Sequence, residues 1–174
     1  PSAAGYIFAY QRCCRIAGIN NIQTSGSVGN TFSIQIPGTN VLAGAETNSS
    51  PQFLVNDTAI VCANNYFEYS FQASDINGDS LAYDLCDAIQ GGDQTNNSPP
   101  TAANPPYASV PYSFAFSGAF PLGPAVTINS RTGLISGTAP SLVGEYVVSV
   151  CVREYRQGTL IGITRKELHI RVGD

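Results

Sequence analysis

The sequence predicts an all-β protein. An antiparallel β-sandwich occupies residues 45–174, and the closing strands of a second, incomplete β-domain, or an N-terminal extension, occupy residues 1–44. Three observations predict this. Apolar side chains alternate with polar ones over several short runs, the period of a strand with one buried face. Gly, Asn, Asp and Pro clusters separate those runs. No twelve-residue window carries the i, i+3, i+4, i+7 spacing of an amphipathic helix.

Taken in order, "YIFAYQR" and "TFSIQI" read as the strands of residues 1–44. Two strands cannot bury a core alone. They either belong to a neighbouring sandwich or lean on the domain that follows, and the first is expected. "AGAETNSSP" (43–51) is the junction. "YFEYSFQA" puts Phe67, Tyr69 and Phe71 on one face and Glu68, Ser70 and Gln72 on the other. "INGD" then turns the chain into "SLAYDLC", with Leu81, Tyr83 and Leu85 inward. Residues 88–111 form a Pro/Asn/Gly-rich loop, long enough to suggest function or mobility. "NSRTG" links "AVTI" to "LISG". "EYVVSVCVREY" points Tyr146, Val148, Val150 and Val152 inward and Ser149, Cys151 and Arg153 outward. "RQG" closes a long hairpin whose return strand buries Leu168, Ile170 and Val172. Each sheet is expected to keep one wet face.

Composition narrows the function classes. Hydrophobic residues make up 43% of the chain and charged residues 11%, against a usual charged share of roughly 25%. The polar surface therefore falls to Ser, Thr, Asn, Gln and Gly, as in exported β-proteins, and an extracellular or cell-surface location is expected. Net charge is −4 with no basic run, so nucleic acid and anionic membranes are poor partners. No apolar run reaches the roughly 20 residues of a membrane span. The chain opens at Pro1 rather than Met and reads as a processed chain or a segment of a longer one.

Five cysteines lie at 13, 14, 62, 86 and 151, none in CxxC spacing, and the chain has one His, His169. Zinc is disfavoured and disulfides are expected. In an immunoglobulin-like order the strands carrying Cys86 and Cys151 are antiparallel neighbours. Outward cysteines directly opposite one another would lie about 5.5 Å apart or less between Cα atoms, within disulfide range. Cys86–Cys151 is thus predicted as a solvent-facing cross-strand staple. Cys62 is expected to pair with Cys13 or Cys14, leaving one thiol of that doublet for a partner elsewhere.

In "ASDINGDSLAYDL" (73–85), Asp75, Asn77 and Asp79 offer oxygen ligands at alternate positions around Gly78, and Glu46 and Asn48 of the junction could join them. A hard cation such as Ca²⁺ would accept such ligands. The simpler reading is a β-turn capped by Asp and Asn side chains. No catalytic set is visible: His169 sits on an outward strand face, and Asp84, Asp87 and Asp93 lack a partner across a cleft. The chain is therefore read as a non-enzyme. Tyr107 and Tyr112 could stack on sugar rings or anchor the long loop. "NSS" (48–50) and "NDT" (56–58) match the Asn-glycosylation pattern.

The combination "ASDINGDSLAYDL" and "VTINSRTGLISGTAPSLVGEYVVSVCVRE" resembles the cadherin-like immunoglobulin repeats of large bacterial surface proteins, over roughly residues 45–172. With "NSSPQF", "YQRCCR" and "REYRQGTLIGITRKELHIRV" the chain is similar to giant gliding-motility-associated adhesins secreted by the type IX pathway. The resemblance implies a cadherin-like β-sandwich and a structural, adhesive role in an extracellular filament or surface layer. It implies contacts with copies of itself or neighbouring repeats, or with surface polysaccharide. It also implies O-glycosylation at Thr58 in "DTA" and Ser80 in "DSL". Two departures stand out: "TAP" replaces "TP", and the acidic junction is thinned to "ETNSSP", which weakens a full cadherin-type calcium cluster. Carbohydrate binding through the 88–111 loop is the alternative function.

Overall fold

A computed structural model describes residues 2–54, 58–92 and 102–174. The chain is all-β. Its strands are β1 (Tyr6–Arg12), β2 (Asn30–Ile36), β3 (Gln52–Phe53), β4 (Thr58–Cys62), β5 (Tyr66–Ser70), β6 (Ala73–Ser74), β7 (Ser80–Leu85), β8 (Val126–Ile128), β9 (Leu134–Thr138), β10 (Gly144–Arg156) and β11 (Thr159–Gly173). Short 3₁₀ turns occur at Ser25–Ser27 and Ala45–Thr47.

A four-stranded sheet, ordered β4-β11-β10-β7, and a three-stranded sheet, ordered β5-β9-β8, share one core. β3 and β6 form a small antiparallel pair at its side. The period-two reading holds on the inward faces. Tyr146, Val148, Val150 and Val152 of β10 are fully buried, as are Ile170 and Val172 of β11. Phe67, Phe71 and Tyr83 close the core from the other strands, with Tyr69 packed against them. β10 and β11 form the long predicted hairpin, with a bulge at Glu154/Tyr155. β4 runs parallel to β11, from Thr58 beside His169 to Cys62 beside Gly173. His169 thus lies on an interior strand of its sheet, not on an edge.

The outer face of β10 differs from expectation. Val147, Ser149 and Cys151 are 0, 1 and 3% exposed. Ile19, Ile22 and Val28 pack over this face with Ala88, Val110 and the Tyr112 ring. β7 pairs with β10 only over Val150–Tyr155, so the β10 edge would be open at 145–147. The irregular segment after β1 fills the gap. The Asn20 N–H donates to the Glu145 carbonyl at 2.8 Å. The buried Asn21 amide brackets Val147: Nδ2 donates to its carbonyl at 2.8 Å and Oδ1 accepts its N–H at 3.0 Å. One side chain thereby does what a neighbouring strand would do.

Arg15 anchors the same segment. Its guanidinium lies on Glu167 of β11 at 2.7 Å, with the two side chains 2% and 7% exposed. It also donates to the Gly29 and Ile89 carbonyls, and Asn30 donates to Glu167 at 3.1 Å. Of the two placements considered for residues 1–44, residues 15–28 lean on the sandwich that follows.

Among the described residues β1 and β2 pair only with each other, from Tyr6 opposite Ile36 to Arg12 opposite Asn30. Gln11 and Thr31 share one face of this ribbon and hydrogen-bond towards the Ala88–Gly92 stretch and Ala103. Tyr6, Phe8, Tyr10, Phe32 and Ile34 share the other face and stand exposed.

The disulfides correct two expectations. Cys86 and Cys151 are bonded, with Cα atoms 5.8 Å apart. They are diagonal rather than opposite, since Cys151 faces Asp84 while the Cys86 N–H donates to Ser149. Cys151 is buried and Cys86 half-buried, so the bridge does not stand out into water as expected. Cys13 and Cys14 are bonded to each other, and Cys62 is an exposed free thiol. Cys62 stands level with Gly173 of β11, whereas Arg15 is tied to Glu167. Six residues of strand are about 20 Å, well beyond disulfide reach.

Candidate functional site

The turn predicted at 75–79 is present and is built by its own side chains. Asp75 Oδ1 accepts the N–H groups of Asn77 and Asp79, both at 2.9 Å. Gly78 takes a left-handed φ of 78°, which a side chain would disfavour. The junction folds back onto the turn, as the sequence suggested: the Ser49 N–H donates to Asn77 Oδ1 at 2.8 Å.

Three carboxylates converge behind the turn. Ligand oxygens of Asp75, Asp79 and Glu154 lie within 4.8 Å of one another. Glu154 comes from β10 and is 2% exposed. Its Oε1 accepts the Asn48 amide at 2.7 Å. Burial raises the Glu154 pKa, and the neighbouring charges of Asp75 and Asp79 raise it further, against the Asn48 hydrogen bond. Arg156 spans the cluster's edge. It grips Asp79 through Nε at 2.8 Å and one terminal nitrogen at 2.7 Å, and reaches Asn48 Oδ1 at 2.7 Å. The hydrogen bond to Asp79 is the main reason its own pKa is raised.

Of the five residues named as calcium ligands, the fold brings Asp75 and Asp79 together. Asn77 spends its oxygen on Ser49, and Asn48 spends its amide on Glu154 and Arg156. Glu46 lies outside the trio. Glu154 is the candidate ligand that the sequence reading did not name. Continuing the alternation from Val152 places it inward, so the pattern contained it. The donor set suits a hard cation: three carboxylates against one guanidinium leave a net charge of about −2, and Asp75 Oδ2 is buried without a partner. Asp75 and Glu154 would hold Ca²⁺, joined by Asp79 if Arg156 lets go of its carboxylate. The ion would supply charge neutralisation there and tie the junction and turn to β10.

The other named residues fall elsewhere. The Tyr112 hydroxyl accepts the Ala88 N–H at 2.9 Å, and burial pushes its pKa up to about 12. Its ring packs in the outer-face cluster, an anchoring role. Tyr107 is half-buried and lines a cleft with Gln35, Ile163 and Arg165. Ser80 is exposed at the start of β7, opposite Tyr155. Thr58 begins β4, but its side chain, like residues 55–57 and 93–101, lies outside the described residues. That leaves Asp93 and most of the "NDT" pattern without structural description. Among the described residues, no helix is long and apolar enough to cross a membrane.

No protein-family profile and no curated protein sequence matches the chain. Two of the solved structures that align with it are the following. One, from Bacteroides fragilis, is described as an alpha-galactosidase candidate: 16% identity, TM-score 0.41, covering 72% of this chain and 18% of that one. The other is a nucleoside hydrolase-related hypothetical protein from Saccharophagus degradans, associated with carbohydrate metabolism: 17% identity, TM-score 0.43, covering 72% of this chain and 26% of that one. The chain therefore spans about a quarter or less of either aligned structure.

Proposed function

We propose that this chain is a non-catalytic structural and adhesive module of an extracellular surface assembly, with the immunoglobulin- or cadherin-like sandwich that its motifs resemble. The observation that carries this reading is the parallel pair β4–β11. Load applied between the residue 45 junction and residue 174 pulls these strands past one another, so their ladder hydrogen bonds resist together rather than one by one. The Cys86–Cys151 bridge then withholds the chain between its ends from extension.

Single-molecule stretching between handles at residues 45 and 174 tests the proposal. A load-bearing module ruptures at higher force than the β10–β11 hairpin pulled across its open end. Its released length falls short by the chain between Cys86 and Cys151 until reductant is added. Rupture at forces no higher than hairpin unzipping would overturn the reading. The carbohydrate-binding alternative rests on the cleft beside Tyr107, whose Gln35 and Arg165 could meet sugar hydroxyls. A glycan array with a Tyr107→Ala control tests it; no signal on any glycan removes it.

A further inference from the structure

The β1–β2 ribbon is amphipathic in the unusual sense. Its register places Tyr6, Phe8 and Tyr10 opposite Ile36, Ile34 and Phe32 on one face. Tyr6, Phe8, Tyr10, Phe32 and Ile34 are 54, 56, 64, 49 and 47% exposed. The Tyr10 and Phe32 rings stack, with centroids 6.3 Å apart, so the face is a continuous strip and not scattered side chains. The opposite face is mixed, with Ile7 and Ala9 beside Gln11, Thr31, Ser33 and Gln35, and it is tied to the rest of the protein through Thr31 and Gln11. A monomer normally buries the apolar face of a two-stranded ribbon, because such a ribbon is marginal without a second layer.

We infer that this strip is a homotypic interface, on which a second copy of the chain stacks its own β1–β2 ribbon face to face. The inference rests on the module reading above and names the surface by which such modules associate. Half of five large side chains amounts to roughly 500 Å² of apolar surface per copy. Two copies would bury roughly 1,000 Å², the threshold of a specific interface. The chemistry suits a like partner. The five exposed residues carry no charge; the charged side chain beside them is Arg165, which lines a cleft with Phe8, Tyr10, Phe32 and Ile34. Arg12 sits at one end of the ribbon, and a two-fold axis that reverses the ribbons keeps the two arginines apart. Four strands in two layers then replace an unsupported pair. A sugar surface would find two tyrosine hydroxyls on the strip, with Arg165 and Ser33 in the cleft beside it.

Sedimentation equilibrium of the full chain, over a concentration series from about 1 µM to 1 mM, tests this; an interface of this size is expected to fill near the upper end. The expected result is a rise towards the doubled mass. Phe8→Ser with Phe32→Ser should abolish the rise, while Ile76→Ser, at an exposed site on the 75–79 turn, should leave it intact. Unchanged circular dichroism and melting of the double variant keep folding out of the comparison. A single monomer mass throughout overturns the inference, as does a dimer indifferent to the double substitution. Retention on an insoluble polysaccharide that is lost in the double variant would also overturn it, by assigning the strip to sugar. Stretching the chain reads the β4–β11 pair and not the ribbon, so either proposal can fail without the other.

Discussion

The sandwich core and the β1–β2 ribbon are written in the same code and meet opposite fates. Both place aromatic or aliphatic residues at every second position of a strand. In β10, and just past the end of β5, the apolar face turns inward and is sealed: Tyr146 and Phe71 have no exposure. In β1 the apolar face turns out, and Phe8 is 56% exposed. Periodicity specifies a face but not what covers it. Coverage comes from strand number, and two strands supply no second layer.

Substitutions at paired positions give the largest expected contrast. Phe71→Ala should cost about 3–5 kcal/mol of folding stability, through lost burial and a residual cavity. Phe8→Ala in the monomer should fall within about 0.5 kcal/mol of zero, as at a surface site. Urea unfolding of both variants checks this, and equal losses would show that the ribbon is already packed in the monomer. Next comes the bridge that ties the end of β7 to β10 within one sheet. Cys86→Ala with Cys151→Ala opens a loop of 65 residues, for which chain entropy allows up to about 4 kcal/mol. Melting of the double variant beside the oxidised chain measures it.

Arg15 joins the two regions, and removing it should blur the contrast. Arg15→Ala strands the buried Glu167 carboxylate at a cost of about 3 kcal/mol. Hydrogen exchange should rise at Asn20, Asn21 and Val147 more than in β5 or β9. The smallest effect lies at the junction. Because burial raises the Glu154 pKa in the folded protein, its protonated form favours folding. That contribution is present below the ordinary carboxylate range and is lost as pH rises through the raised value. In chelator, wild-type stability should therefore decline with rising pH through that window, and Glu154→Gln should flatten the decline. Added Ca²⁺ should restore wild-type stability at neutral pH but not that of Glu154→Gln. Melting curves against pH, with and without the ion, read both effects.

Much of this was legible beforehand, for a physical reason. Val148, Val150, Leu168 and Ile170 follow period two because each sits in a regular strand against one core. The Cys86–Cys151 link followed from strand adjacency, although its diagonal register needed the β7–β10 pairing. The turn at Asp75 was legible because its hydrogen bonds are local. Arg15, Asn20 and Asn21 were not legible, since they act from an irregular segment whose destination depends on the whole fold. A polar side chain carries no inward signal, yet tertiary placement buries Arg15 and Asn21. The same segment turned Ser149 and Cys151 from wet to dry. Glu154 lay between these cases: its inward phase could be counted, but its companions Asp75 and Asp79 come from a different part of the chain.

The amide of Asn21 has a practical consequence for anyone dividing this protein. A boundary drawn at residue 45 respects the strand count yet discards the one side chain that occupies the backbone of Val147. The shortened product would present a raw sheet margin beside a stripped apolar patch, a combination that recruits other chains edge to edge. Poor solubility of such a fragment would then report the missing amide rather than any defect in the sandwich.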